Sequence, residues 1–333
     1  MSRAAPQRAF AACAPGLEPA LARELGALGL VARAVPGGAE AEGPDAWAVA
    51  CVGSRAADAV KARLWEGPAP GAAAARKELA RRMPGLELEA RRDGDQVTLS
   101  ADAAGSPLFK RGWRARVGAA PLRESLAAGL LLELGYDGSV PFLDPMCGSG
   151  TIAIEAALLA ARRAPGGGRR FAFEDWPGHD AARTEAVRQR LGAHARPPPA
   201  PVLASDRNGG AVRLAGKNAE AAQADRFVRI ERRDAAQVEP PPGPGVCLVN
   251  PPYGIRLDRE VEESWRALGS LLGRLSGWTV GILAGDPALA RLLPGAPTRN
   301  LEVQNGGIRC RFLVFDRHEE VTGGSSSGPF PGA

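Results

Sequence analysis

The stretch FLDPMCGSGTIAIEAALLAARR, residues 142–163, reads as a short apolar strand ending at Asp144, a glycine-rich turn, and a helix beginning near Thr151. Gly148 and Gly150 let the backbone approach a ligand closely at the carboxyl end of a strand, which is where open α/β sheets bind ligands. The same residues, read as Gly148-x-Gly150-x-x-Ala153, also satisfy the dinucleotide fingerprint G-x-G-x-x-G/A. The loop alone therefore leaves a nicotinamide enzyme, another nucleotide-cofactor enzyme and a bare tight turn open.

Outward from this loop, short apolar segments alternate with helical ones. VLASD (202–206), FVRI (227–230), VCLVN (246–250) and TVGILAGD (279–286) read as strands; 151–163, 209–223 and 259–275 read as helices. Such alternation predicts a doubly wound, mostly parallel α/β sheet. LEVQ-NGG-IRCRFLVF (301–315) predicts a terminal antiparallel hairpin around Asn305-Gly306-Gly307. The Gly/Ser-rich tail, residues 321–333, is expected to be disordered.

Residues 10–108 have a different texture and predict an α+β module. Its expected elements are a helix at 19–28, a strand at 46–52, helices at 54–65 and 71–83, and strands at 86–91 and 96–101 joined through Asp93-Gly94. The basic stretch Lys110-Arg111-Gly112-Trp113-Arg114-Ala115-Arg116 follows, and Pro121 opens an apolar helix to about residue 134. The expected organisation is thus a module at 1–108, a basic linker at 109–120 and a second domain at 121–320.

The 333 residues are 45% hydrophobic and 24% charged, which excludes an intrinsically disordered chain. Five scattered cysteines without a C-x-x-C pair offer neither a disulfide framework nor a zinc cluster, and the three histidines lack ligand spacing; no metal is expected. No apolar run reaches bilayer length and the first residues lack the apolar core of a secretion signal, so a soluble cytoplasmic protein without membrane association is expected. The net charge of +5 comes with 38 arginines in an Ala/Gly/Pro-rich chain, a pattern that coding bias alone produces. The excess is nonetheless concentrated in residues 1–120, with 17 basic and 13 acidic side chains.

The second chemical signal is Asn250-Pro251-Pro252-Tyr253-Gly254 at the end of a later strand. The exocyclic amine of a nucleobase is a poor nucleophile because its lone pair is delocalised into the ring. Two acceptors on its N–H groups, the Asn250 side-chain oxygen and the Pro251 carbonyl, would favour a more pyramidal nitrogen with its lone pair aimed at an electrophile. Pro251 and Pro252 stiffen that carbonyl, and Tyr253 offers a stacking face. The plain alternative is a rigid Pro-Pro turn with a buried tyrosine.

Together, D-P-M-C-G-S-G-T and N-P-P-Y-G resemble the class I S-adenosylmethionine-dependent methyltransferases that modify base amino groups. LFKRGWRARVGAAPLRESLAAGLL (108–131), RFAFEDWPGHD (170–180) and the terminal NGGIRCRF resemble the THUMP-domain RNA guanine-N2 methyltransferases of ribosomal and transfer RNA, as does FAACAPGLEPALARELGALGL (10–30). The resemblance implies a Rossmann-like catalytic domain behind a ferredoxin-like/THUMP RNA-binding region, shortened here between residues 34 and 85. It implies that Asp144 and the backbone of Met146, Cys147, Gly148 and Gly150 hold the methionine part of S-adenosylmethionine, that Asp206 receives the ribose hydroxyls, that Asp234 faces the adenine, and that Asn250 borders cofactor and substrate. Helix capping for Asp206 and a plain loop carboxylate for Asp234 remain the alternatives. Lys110, Arg111, Arg114 and Arg116 are candidate phosphate contacts or a solvated strand face. The implied partner is structured RNA, ribosomal or transfer, with the oligomeric state left open. A DNA adenine-N6 methyltransferase would share the Asn-Pro-Pro-Tyr chemistry but needs a DNA-reading domain. A nicotinamide-dependent oxidoreductase leaves Asn250 to Tyr253 without a task.

Overall fold

A computed structural model describes residues 6–114, 122–252 and 259–317. The first unit runs β1 (Gln7–Ala12), α1 (Glu18–Ala27), β2 (Val31–Val35), β3 (Gly38–Gly43), α2 (Ala46–Gly53), β4 (Ala59–Pro68), α3 (Ala69–Arg82), β5 (Glu89–Asp93) and β6 (Gln96–Asp102). Its six strands form one sheet in the order β2-β3-β1-β4-β6-β5, antiparallel throughout. The first four strands and two helices make a βαββαβ unit, and the ten-residue β4 continues beyond it to carry the β6-β5 extension.

Two expected elements are exchanged. Residues 46–52, read as a strand, are helix α2: all but Trp47 are buried, and a helix that is apolar all round shows no 3.6-residue period. Residues 54–65, read as a helix, include the first part of β4, whose buried Val60 and Ala62 alternate with more exposed neighbours. Ala, Lys, Arg, Leu and Glu there favour helix in isolation, and pairing with β1 on one side and β6 on the other overrides that preference.

The second unit continues with α4 (Glu124–Glu133), β7 (Phe142–Asp144), α5 (Thr151–Ala160), α6 (Ala181–Gly192), β8 (Val202–Asp206), α7 (Gly209–Ala221), β9 (Val228–Arg232), β10 (Gly245–Val249), α8 (Arg259–Leu272), β11 (Trp278–Ala284), β12 (Arg299–Asn305) and β13 (Ile308–Asp316). Seven strands lie in the order β12-β13-β11-β10-β7-β8-β9. β7 to β11 are parallel, while β13 is antiparallel to both β11 and β12. The doubly wound sheet and terminal hairpin expected from the sequence are both present. The central strands β10 and β11 are almost continuously apolar because both faces are covered. On β10, Val246 and Leu248 enter the core shared with α4, α5 and the first unit, while Cys247 and Val249 enter the core beneath α8.

The two units are packed together. Leu21 and Leu25 of α1 and Val49 of α2 share one apolar core with Leu126 of α4 and Ile154 of α5. The insertion between α5 and β8, which carries α6, meets α2 through an edge-to-face pair of Trp176, ahead of α6, with Trp47 at 5.5 Å, and through an ion pair of Arg183 on α6 with Asp45, the cap of α2, at 2.8 Å. The stretch expected to be a basic linker is part of this seam. The Arg111 side chain is 4% exposed and pairs with Glu155 of α5 at 3.2 Å, with further donation to the carbonyls of Leu108 and Arg55. Arg114 donates to Leu122 O and to Thr151 Oγ1 and lies 3.5 Å from Glu124. This corrects the expectation of phosphate contacts at Arg111 and Arg114: their guanidinium groups are turned inward and occupied. Lys110 is exposed; Arg116 and Tyr253 lie outside the described residues, as does the 321–333 tail.

Candidate cofactor and amine site

The site lies across the carboxyl ends of β7, β8, β9 and β10. β7 ends in Asp144, which is wholly buried, and the chain then turns through Pro145 to Gly150 into α5. Gly148 at φ +53° and Gly150 at φ +85° occupy the left-handed region that glycine adopts without strain. Gly150 also meets a packing limit, because a Cβ there would stand 3.0 Å from the Ala215 side chain of α7. Backbone bonds fix the turn: Cys147 N donates to Ser205 O at 2.8 Å and Gly150 N to Cys147 O at 2.7 Å. The buried Asn218 of α7, which gave no signal in the sequence, donates to Ser149 O at 2.9 Å.

Asp206 at the end of β8 accepts from Gly148 N at 2.9 Å through Oδ2 and from Asn208 N at 2.8 Å through Oδ1. The cap of α7 is Asn208, whose side chain accepts from Gly210 N and Ala211 N. Helix capping is therefore not the task of Asp206. Asp234 accepts from Ala236 N at 2.9 Å, opening the 3-10 turn at Ala235–Gln237, and its residue borders the cleft. The cleft, about 290 Å³, brings together Met146, Gly148, Asp206, Asp234, Asn250 and Pro252. Ser264 and Ala267 of α8 complete the wall and were not read from the sequence. Their position on the inner side of an amphipathic helix is the signal that could have found them.

Two acceptors in this region have no partner. Asp144 Oδ2 and Asn250 Oδ1 are both fully buried and receive no hydrogen bond among the described residues. Burial, opposed by the Met146 and Ala153 amides and reinforced by the charge of Asp206, pushes the Asp144 carboxyl well above the usual carboxylate range. Such orphaned oxygens are rare in native proteins and mark places where an external donor belongs. An ammonium satisfies the first and an amine N–H the second. Cys147 is 7% exposed, and burial with the Asp144 and Asp206 charges pushes its thiol far up, so it packs the loop and supplies no nucleophile.

Pro252 is held from below. The indole Nε1 of the buried Trp265 donates to its carbonyl at 3.0 Å, which pins the end of the Asn-Pro-Pro segment to α8. A larger recess of about 440 Å³ lies on the first sheet, remote from the glycine loop and Asn250; on its wall Arg8 is matched by Glu66 and Arg63 by Glu40, while Arg33 and Arg91 form no ion pair among the described residues. Among the described residues no group of three or more His, Cys, Asp or Glu is placed to hold a metal, and no helix is long and apolar enough to cross a membrane.

Comparison with known proteins gives the family. A curated relative, the ribosomal RNA large subunit methyltransferase K/L of Syntrophotalea carbinolica, is 36% identical over 264 residues, covering 74% of this chain and 37% of the relative. The chain spans about a third of the length of the ribosomal RNA large subunit methyltransferase K/L relatives it matches. Among solved structures, SMU.472, named as a putative methyltransferase and complexed with SAH, is 26% identical with a TM-score of 0.80, over 95% of this chain and 98% of that one. A Listeria monocytogenes protein named, as a prediction, an N6-adenine-specific DNA methylase is 26% identical with a TM-score of 0.81, over 93% and 96% of the two chains. The second unit has the class I methyltransferase fold. A family model described as an RlmL ferredoxin-like domain matches residues 8–61, in the βαββαβ unit, and one described as an RMKL-like methyltransferase domain matches residues 111–313; the chain belongs to this RMKL-like methyltransferase family.

Proposed function

We propose that this protein transfers a methyl group from S-adenosylmethionine to the exocyclic N2 amine of a guanosine in structured RNA, with large-subunit ribosomal RNA, for which the curated relatives are named, as the favoured substrate. The observation that carries the reading is the pair of orphaned buried acceptors, Asp144 Oδ2 and Asn250 Oδ1, placed by adjacent strands β7 and β10. The cofactor, when bound, supplies an activated sulfonium methyl group. Asp144 holds its ammonium, the Gly148–Gly150 turn leaves room for its methionine part, Asp206 accepts from the ribose hydroxyls with an already oriented carboxylate, and Asp234 faces the adenine. Asn250 Oδ1 and the Pro251 carbonyl accept the two amine N–H groups and turn the nitrogen lone pair outward. Tyr253 is assigned the stacking face from the motif alone. The attacking nitrogen gains the methyl group and loses one proton to water, so no strong base is required of the chain. The base is flipped out of its helix or loop to reach the cleft.

The first unit, residues 1–108, is assigned to RNA binding as a ferredoxin-like/THUMP region and the second to catalysis, with the reaction in the cytoplasm. The test is incubation of the full chain with labelled S-adenosylmethionine and deproteinised large-subunit ribosomal RNA, transfer RNA or duplex DNA, followed by nucleoside analysis. The reading expects N2-methylguanosine in RNA. Labelled N6-methyladenine in DNA would replace it with the DNA methylase alternative.

A further inference from the structure

Four exposed cations surround the amino-terminal part of α7 at the rim of the cleft: Arg207, Arg213, Lys217 and Arg232. Arg207 lines the cleft itself. Arg232, the last residue of β9, donates its Nε to Arg207 O at 3.2 Å and so reaches across the turn between β8 and α7. Arg213, one turn into the helix, approaches the same spot. A Cβ on Gly209 would stand 3.5 Å from Arg232 Cδ and 3.7 Å from both Arg232 Nε and Arg213 Nη1. Lys217 follows four residues later on the same face.

These charges lack counterparts. Arg207 faces Glu260 at 3.8 Å with both side chains exposed, a weak pairing. Among the described residues, Arg213, Lys217 and Arg232 form no ion pair. The nearby carboxylates are committed, Asp206 to Gly148 N and Asn208 N, and Glu231 to Arg229 and Arg233. In the first unit Arg8, Lys61 and Arg63 are matched by Glu66, Glu89 and Glu40, whereas Arg33, Arg76, Lys77 and Arg91 are exposed without an ion pair among the described residues; what sets the α7 group apart is its place at the rim of the cleft. The dipole of the thirteen-residue α7 adds positive potential at the same end. Like charges gathered in this way repel one another until an anion settles between them.

We infer that Arg213 and Arg232, with Lys217 beyond them, contact the phosphates of the RNA strand whose target base enters the cleft. The inference rests on the RNA methyltransferase reading and adds where the substrate backbone runs. Guanidinium forks match phosphate oxygens in pairs, and a nucleotide seated in the cleft brings its flanking phosphates to this rim. A folded acidic protein would require apolar anchors as well. Among the described residues the exposed large apolar side chains, Val31 and Ile308, lie on the other sheet and towards the opposite edge of the second sheet.

The test uses the full chain carrying Arg213→Glu and Arg232→Glu together, with Arg213→Gln and Arg232→Gln as a milder pair in case charge reversal harms folding. RNA affinity is measured against deproteinised large-subunit ribosomal RNA over a salt series, S-adenosylmethionine affinity by calorimetry, and methyl transfer in the same preparations. The expected result is RNA affinity lower by roughly tenfold or more at low salt, a log K against log salt slope shallower by about two, and unchanged cofactor affinity. Wild-type affinity and slope in both paired variants would overturn the assignment while leaving the methyltransferase reading in place. A wild-type chain that binds cofactor but neither binds nor methylates RNA would remove both. Displacement of the RNA by poly-glutamate at equal charge concentration would mark a general docking surface for acidic polymers and also overturn the assignment.

Discussion

The amide of Gly148 donates to Oδ2 of Asp206 at 2.9 Å, tying the loop after β7 to the end of β8. On the proposed reading, the residue on the methionine side of the cradle thus orients the carboxylate on the ribose side. Asp206→Ala removes both the ribose acceptor and the anchor of Gly148, and S-adenosylmethionine affinity should fall by about tenfold or more, the equivalent of one to two hydrogen bonds. Calorimetry on the wild type and variant checks this; unchanged affinity would detach Asp206 from the cofactor.

The pH response of Asp144 follows from its burial. A carboxyl whose titration is raised in the folded state contributes stability below its unfolded pKa and loses it as pH rises through the folded one. Asp144→Asn should therefore gain stability relative to the cofactor-free wild type as pH increases above the ordinary carboxylate range. An ammonium beside Asp144 favours the carboxylate, so wild-type cofactor affinity should rise with pH over the same window, and the variant should lose both affinity and pH dependence. Melting temperatures and calorimetry across a pH series measure these effects.

Glu155 on α5 is wholly buried between Arg55 of the first unit and Arg111, at 3.2 Å from each. Removing one member of such a group leaves uncompensated charge inside, so Glu155→Gln should lower unfolding stability by about 3 kcal/mol or more. Arg111→Ala should act in the same way. A stable Arg111→Ala protein with weakened RNA binding would instead restore the phosphate-contact role.

Trp265 pins the Pro252 carbonyl at 3.0 Å from beneath the Asn-Pro-Pro segment. Trp265→Phe keeps most of the apolar contact and removes the donor. Methyl transfer should slow by roughly tenfold, about the worth of one hydrogen bond, with cofactor affinity preserved. Single-turnover rates and calorimetry on one preparation separate this positioning effect from a general loss of packing.

The two turns that border the cleft and the terminal hairpin were legible in the sequence because each is local. Asp144 to Gly150 is a strand-to-turn signal, Asn250 to Pro252 is a rigid tetrapeptide start, and the Asn305-Gly306-Gly307 hairpin carries its own turn chemistry. What stayed hidden depends on contacts distant in sequence. Asn218 supports the loop at Ser149 from 69 residues away, and Arg111 meets Glu155 across 44. A run of basic residues looks the same whether it faces water or a buried carboxylate, which is why Arg111 and Arg114 read as surface cations. Helix α2 and strand β4 were exchanged because complete burial erased the helical period in one and alanine masked the alternation in the other.

The central claim is that Asn250 accepts a hydrogen bond from the substrate amine and directs its lone pair. The most direct measurement is single-turnover methyl transfer by Asn250→Ala at saturating cofactor and RNA, with melting temperature and cofactor affinity taken on the same protein. Loss of one preorganised polar group should slow transfer by roughly a hundredfold or more, of order 3 kcal/mol, while fold and cofactor binding stay nearly intact. Near-normal transfer by a stable Asn250→Ala protein would contradict the account.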